Sequence, residues 1–274
     1  MGQARDRGHV YEGRHSMVHA EQVKRDMRTF YAAEAADRDS ETWLRAGGSA
    51  RVPESKASHY FIDRKVAEAV ALAGAGGDSR VLEIGCSWGH MTFLLAERFR
   101  EVVAVDLSAE SVELARRRAA FYGVRNVDFQ QADAEQLERF DDDTFDCVFA
   151  FSTLRFCPDP GRTLAEAFRT LRPGGAAAVD VPNRSCPWYG PLKRLFGISR
   201  HIHDRLYTAG EIRRGLEQAG FVGVRSKHIL FTTKRVPDAA LPAFRVLDSL
   251  LEGLPGIRQW SGIIMAAGRK PGPP

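Results

Sequence analysis

The sequence predicts an α/β fold: a doubly wound, mostly parallel seven-stranded sheet with helices on both faces, a helical N-terminal segment and inserted lid segments. Three observations carry this. From Val81 onward, short apolar runs alternate with helical periodicities. A glycine turn, Gly85 to Gly89, follows the first of these runs and opens a helical pattern. The chain's 274 residues, 44% of them hydrophobic, suffice to bury the core such a sheet requires.

Taken in order, residues 1–16 are polar and read as a flexible N-terminus. Between Ala20 and Ala36, Val23, Met27, Phe30 and Tyr31 recur at helical spacing. The stretch Asp37 to Ser58 reads as loop, and Tyr60 to Ala73 resumes the helical period until Gly74, Gly76 and Gly77 stop it. Strands are expected at Val81–Ile84, Val102–Val105, Val127–Gln130, Phe145–Phe151, Ala176–Val181, Val222–Thr233 and Gly262–Gly268. Helices are expected at Met91–Phe99, Ala109–Phe121, Thr163–Leu171, Ala209–Ala219 and Ala239–Leu251. The segment Leu171 to Gly175 reads as a helix stop and tight turn. These elements divide the chain into a flexible 1–16, a helical cap and first helix over 17–78, and a ligand-binding domain over 79–270 with insertions near 184–206 and 236–258.

Composition narrows the function. The formal net charge is +4, and the cations form no long run or stripe, which argues against nucleic acid as partner. Four cysteines without a C-x-x-C pair suggest neither a zinc knuckle nor a disulfide framework. No run approaches the roughly 18 apolar residues of a membrane span, and the N-terminus is too polar for a signal peptide, so the expected location is cytoplasmic. His201 and His203 alone make an incomplete metal site, and no metal is expected.

Chemistry concentrates at Arg80 to Thr92, RVLEIGCSWGHMT. An apolar strand delivers Glu83 near its end, and Gly85 and Gly89 allow a tight turn around Cys86 into the next helix. Twenty-one residues after Gly85 the strand VVAV ends in Asp106, a carboxylate placed to accept both hydroxyls of a ribose. The spacing alone describes a dinucleotide or nucleoside site. The loop lacks the middle glycine of G-x-G-x-x-G, and Glu83 beside it favours an amino group over a phosphate.

Four blocks, VLEIGCSWG, VVAVDLS, FQQADAEQL and FDCVFAFSTLRF followed by LRPGG, occur in this order. With them the chain resembles the class I S-adenosylmethionine-dependent methyltransferases of small-molecule type. The resemblance implies S-adenosyl-L-methionine as cofactor, with Glu83, Gly85 and Gly89 around its methionine part and Asp106 on the ribose. It further implies Leu107 against the adenine, Asp133 and Ala134 at the adenine edge, and Phe151 beside the sulfonium. Ser87 stands where the family usually carries a glycine. Arg155 follows the fourth strand on the substrate side, where it would bind an anionic or carbonyl-bearing acceptor or close the loop as an ion pair. The stretch HIHDRLYT resembles the substrate-side H-x-R-x-Y/F-T of small-molecule members, which makes His203 a candidate proton acceptor and Tyr207 a pocket residue.

The expected function is methyl transfer to oxygen, nitrogen or carbon of a small-molecule acceptor, whether specialised metabolite, quinone-like or lipid-linked. The alternative is a cofactor-binding sensor or assembly partner without turnover. Residues 187–196, with Trp188, Tyr189, Lys193 and Arg194, fit either a lid or a weak membrane-surface contact. Oligomeric state is not encoded in any pattern found.

Overall fold

A computed structural model describes residues 6–38, 55–187 and 205–272. Two helices precede the sheet, α1 (Asp6–Ala36) and α2 (Lys56–Ala73). There follow β1 (Arg80–Ile84), α3 (Thr92–Ala96), β2 (Glu101–Asp106), α4 (Ala109–Tyr122), β3 (Val127–Gln131) and β4 (Phe145–Phe151). Next come α5 (Pro160–Thr170), β5 (Leu171–Pro182), α6 (Ala209–Gln218), β6 (Val222–Ile229), α7 (Leu241–Gly253), a short 3₁₀ turn at Arg258–Trp260, and β7 (Ile263–Arg269).

The seven strands form one sheet in the order β3-β2-β1-β4-β5-β7-β6. Five strands run parallel, while β7 lies antiparallel between β5 and β6. The chain thus winds outward from β1 to β3, then crosses back to lay β4 on the other side of β1. Ligands of such sheets sit at the carboxyl ends of the strands beside that crossing.

Strand alternation separates two faces. Leu82, Ile84, Val148, Ala150, Val179 and Val181 meet Leu164 and Ala167 of α5 and Ile212 and Leu216 of α6. Val81, Phe149, Phe151, Ala176 and Ala178 meet Ile62, Val66 and Ala69 of α2 and Leu94 and Leu95 of α3. Helix starts follow from local chemistry. Ser108 accepts the Ser111 N–H, Asp159 accepts from Gly161 and Arg162 ahead of Pro160, and Thr208 with Glu211 forms a reciprocal capping box.

Of the boundaries that differ from the sequence reading, four change the layout. Helix α1 begins at Asp6 rather than Ala20, because no proline interrupts it and extending a formed helix is easy. Helix α2 begins at Lys56, inside the expected loop, because the Ser55 hydroxyl accepts the Ser58 N–H. The Leu171 to Gly175 segment is a bulge within β5: Leu171 pairs with Phe145 and Ala176 with Cys147, so Arg172–Gly175 stand opposite Asp146. Strand β6 ends at Ile229, and Leu230 turns away with a φ of 66°. Residues 39–54 and the insertion core 188–204 lie outside the described residues, and with them Trp188, Tyr189, Lys193, Arg194, His201 and His203.

Candidate active site

At the carboxyl ends of β1, β2, β4 and β5 lies a cavity of about 1020 Å³. Gly85, Cys86, Asp106, Leu107, Asp133, Ala134, Phe151 and Arg155 all line it. Eight residues far apart in sequence are thereby brought to one space.

Asp106 closes β2 and has two engagements. Its Oδ2 accepts the Ser87 N–H at 2.8 Å and its Oδ1 accepts the Ser108 N–H at 3.0 Å. Burial raises its pKa, opposed by the backbone bonds from Ser108 and Ser87. A carboxylate offers about four acceptor positions, so both oxygens retain capacity for ligand hydroxyls. Ser87 itself sits at φ 49°, the left-handed region where glycine is favoured, so the loop keeps the expected turn despite the substitution, with the Asp106 bond holding it. Arg118, buried in α4, donates to the Trp88 carbonyl and fixes the loop from below.

Glu83 stands behind the lining, 1% exposed, its Oε2 without a hydrogen-bond partner. Burial, reinforced by the Asp106 charge, pushes its pKa up to about 7. The two glycines are required for reasons the spacing did not show. Gly85 and Gly89 have φ of 80° and 88°. A Cβ on Gly85 would lie 2.2 Å from Thr153 Oγ1, and one on Gly89 would lie 2.8 Å from the Phe93 ring. Close packing of loop against β4 and α3, besides any approach to a ligand, demands them.

Helix α1 covers the Asp133 end of the cavity. Lys24 Nζ bonds Asp133 Oδ2 at 2.7 Å and Glu135 Oε2 at 2.8 Å. Burial alone would lower the Lys24 pKa, but the bonds to Asp133 and Glu135 outweigh it and hold the ammonium above its ordinary value. Tyr31 packs edge-on against Phe156, and the Arg38 guanidinium lies 4.5 Å over the Trp88 ring. Trp88 donates to His90 Nε2 at 2.6 Å, and burial, aided by the charges of Lys234 and Arg118, holds His90 neutral.

Beyond Phe151 the wall becomes polar. Ser152, at φ 55°, donates its hydroxyl to Asp180 Oδ2 at 3.1 Å and accepts from Lys65 Nζ at 2.8 Å. Lys65 also bonds Asp180 Oδ1 at 2.9 Å, both side chains being almost wholly buried. Lys65 and Ser152 line the cavity. The sequence held a signal for Lys65: it follows Phe61 by four residues and precedes Ala69 by four, on the apolar face of α2. A lysine on such a face is either paired or functional.

Tyr207 is corrected. It does not line the cavity; its hydroxyl donates to the Leu154 carbonyl at 2.9 Å, its N–H bonds the Pro182 carbonyl, and it belongs to the core beneath α6. A buried phenol needs one such partner, and here a backbone carbonyl supplies it. Arg155 does line the cavity, 8% exposed, its guanidinium 5.1 Å over the Phe156 ring.

This α/β fold and this donor set suit a nucleoside-containing cofactor. Residues 82–179 match the methyltransferase domain family. The chain is 33% identical over 173 residues to trans-aconitate 2-methyltransferase of Deinococcus radiodurans, covering 62% of this chain and 59% of that protein. It is 29% identical over 150 residues to the ubiquinone biosynthesis O-methyltransferase of Aeromonas salmonicida, covering 52% and 63%. Among solved structures, Haemonchus contortus phosphoethanolamine N-methyltransferase 2, in complex with S-adenosylhomocysteine, superposes with a TM-score of 0.56 at 17% identity over 76% of this chain and 52% of that one. The matched part thus spans less than two thirds of these relatives' length.

Residues 82–179, which carry the glycine loop and Asp106, are thus similar to a methyltransferase domain, and the group to test against the site is S-adenosylmethionine, the cofactor that the resemblance implies. The residues present fit that group: a ribose-type carboxylate at Asp106 and an apolar wall at Leu107 and Ala134 border one end of the cavity, and the orphaned carboxylate oxygen of Glu83 lies behind it. Among the described residues no helix is long and apolar enough to cross a membrane.

Proposed function

We propose that this protein transfers a methyl group to a small-molecule acceptor held in the same cavity as the cofactor. One observation carries the reading: a single space of about 1020 Å³ joins the Asp106 end to the Phe151, Ser152 and Arg155 end, large enough for two ligands side by side. Bound S-adenosylmethionine supplies an electrophilic methyl on a sulfonium. The chain's part is positioning. Asp106 and the loop hold the ribose, Asp133 with Ala134 borders the adenine, and Phe151 faces the reacting end.

Aromatic surface at Phe61, Phe151 and Phe231 excludes water and suits a cationic sulfur. Ser152 accepts from Lys65 and donates to Asp180, leaving an acceptor position on its oxygen for an incoming O–H. The Ser152 hydroxyl and the Asp180 carboxylate behind it therefore form a path down which an acceptor proton can leave. An O-methyltransferase and a trans-aconitate methyltransferase among the relatives support a small-molecule acceptor. The test is incubation with S-adenosylmethionine and a metabolite extract, reading S-adenosylhomocysteine formation and mass gains of one methyl. Cofactor binding with no turnover on any extract would favour a sensor instead.

A further inference from the structure

We propose that the acceptor end of this cavity selects an anionic molecule with an apolar body, such as an aromatic or unsaturated carboxylate. The inference rests on the methyl-transfer reading and names the acceptor class. Lys65 Nζ lies 5.8 Å and Lys234 Nζ 6.0 Å from the centre of the same Phe61 ring, so two ammonium groups face one aromatic wall. Lys65 lies 5.9 Å from the Phe151 ring as well. Arg155 lines the same cavity and is almost buried.

Charge balance is uneven along this space. Of the lining carboxylates, Asp106, Asp133 and Glu135 belong to the cofactor side, where the last two hold Lys24, and Glu34 lies on α1 with Arg38 Nη2 at 3.8 Å. At the acceptor end the compensating carboxylate is Asp180, which lies outside the lining and serves Lys65. Among the described residues no carboxylate pairs with Lys234, whose charge faces aromatic surface. The charges of Lys234 and Arg155 both depress the Lys65 pKa beyond what burial does, so their fields converge on one place.

A protonated amine entering there would meet cations on several sides, next to a cationic methyl donor. A neutral acceptor would bring no charge to the exposed Lys234 ammonium, whereas Lys65 is already held by Asp180. An anion resolves both difficulties, and an apolar body matches Phe61, Phe151 and Leu230.

The experiment titrates the S-adenosylhomocysteine-loaded protein with benzoate, cinnamate and citrate, and with cinnamamide as the neutral counterpart of cinnamate. At least one carboxylate is expected to bind at least tenfold more tightly than cinnamamide, with affinity falling as salt rises. Lys234→Gln should weaken it at least tenfold and Lys234→Glu further, with S-adenosylhomocysteine affinity unchanged in both. Equal binding of cinnamate and cinnamamide, no carboxylate binding at all, or indifference to Lys234 overturns the anion proposal while the methyl-transfer reading stands. Failure of S-adenosylhomocysteine itself to bind overturns the underlying reading.

Discussion

Asp106 both shapes the loop and faces the cavity, so its removal strikes twice. Asp106→Ala deletes ligand bonds worth about 1.5–3 kcal/mol each and releases the Ser87 N–H that keeps a serine in a left-handed turn. Calorimetry should show S-adenosylhomocysteine affinity down at least tenfold in a variant whose circular dichroism is unchanged; unaltered affinity would remove Asp106 from the site. Glu83 makes a pH prediction. Its pKa is near 4.5 when unfolded and about 7 when folded. Between these values the folded chain keeps a proton that the unfolded chain has lost, so stability falls as pH rises from 4.5 to 7 and then levels, by on the order of 3 kcal/mol. Glu83→Gln should abolish that slope in urea titrations of the ligand-free protein across pH 5–8. A slope unchanged by the substitution would show that Glu83 is not its source.

At the level of elements, α1 is fastened to the site by Lys24, which bridges Asp133 and Glu135. Lys24→Ala leaves two neighbouring carboxylates without their cation. Faster amide exchange in residues 20–36 and a cofactor off-rate raised about tenfold are expected; exchange confined to wild-type rates would mean that other contacts hold the helix. The loop between β1 and α3 is wedged against β4, so Gly85→Ala should lower the urea midpoint as well as binding, and Thr153→Ala in the same chain should recover part of the stability. No recovery would place the fault in the φ of Gly85 alone. Strands β1, β2 and β4 were legible because buried parallel strands are unbroken apolar runs. Strand β7 was legible as well, at Gly262–Gly268, but its antiparallel direction was not, since its apolar run is the same in either direction. Tyr207 was misread and Lys65 missed for a common reason: a sequence shows that a polar group lies near an apolar face but not which carbonyl or carboxylate waits there.

Across the whole molecule, the buried pair Lys65–Asp180 ties α2 to the middle of the sheet. Lys65→Met should cost about 3–5 kcal/mol by stranding the Asp180 charge, and the double variant Lys65→Met/Asp180→Leu should regain most of it in denaturant titrations. A double variant as unstable as the single one would mean that the pair's partner Ser152, rather than the charge, sets the cost. The sheet order has a further consequence for synthesis. Strand β6 hydrogen-bonds to no other strand but β7, and β7 follows it by more than thirty residues. Gly262 and Ile263, at the start of β7, also line the cavity. On the ribosome, therefore, β1 to β5 can assemble while β6 waits unpaired and the cavity wall stands open. The residues assigned to the cofactor, Gly85 to Phe151, thus emerge before the part of the cavity wall formed by Gly262 and Ile263.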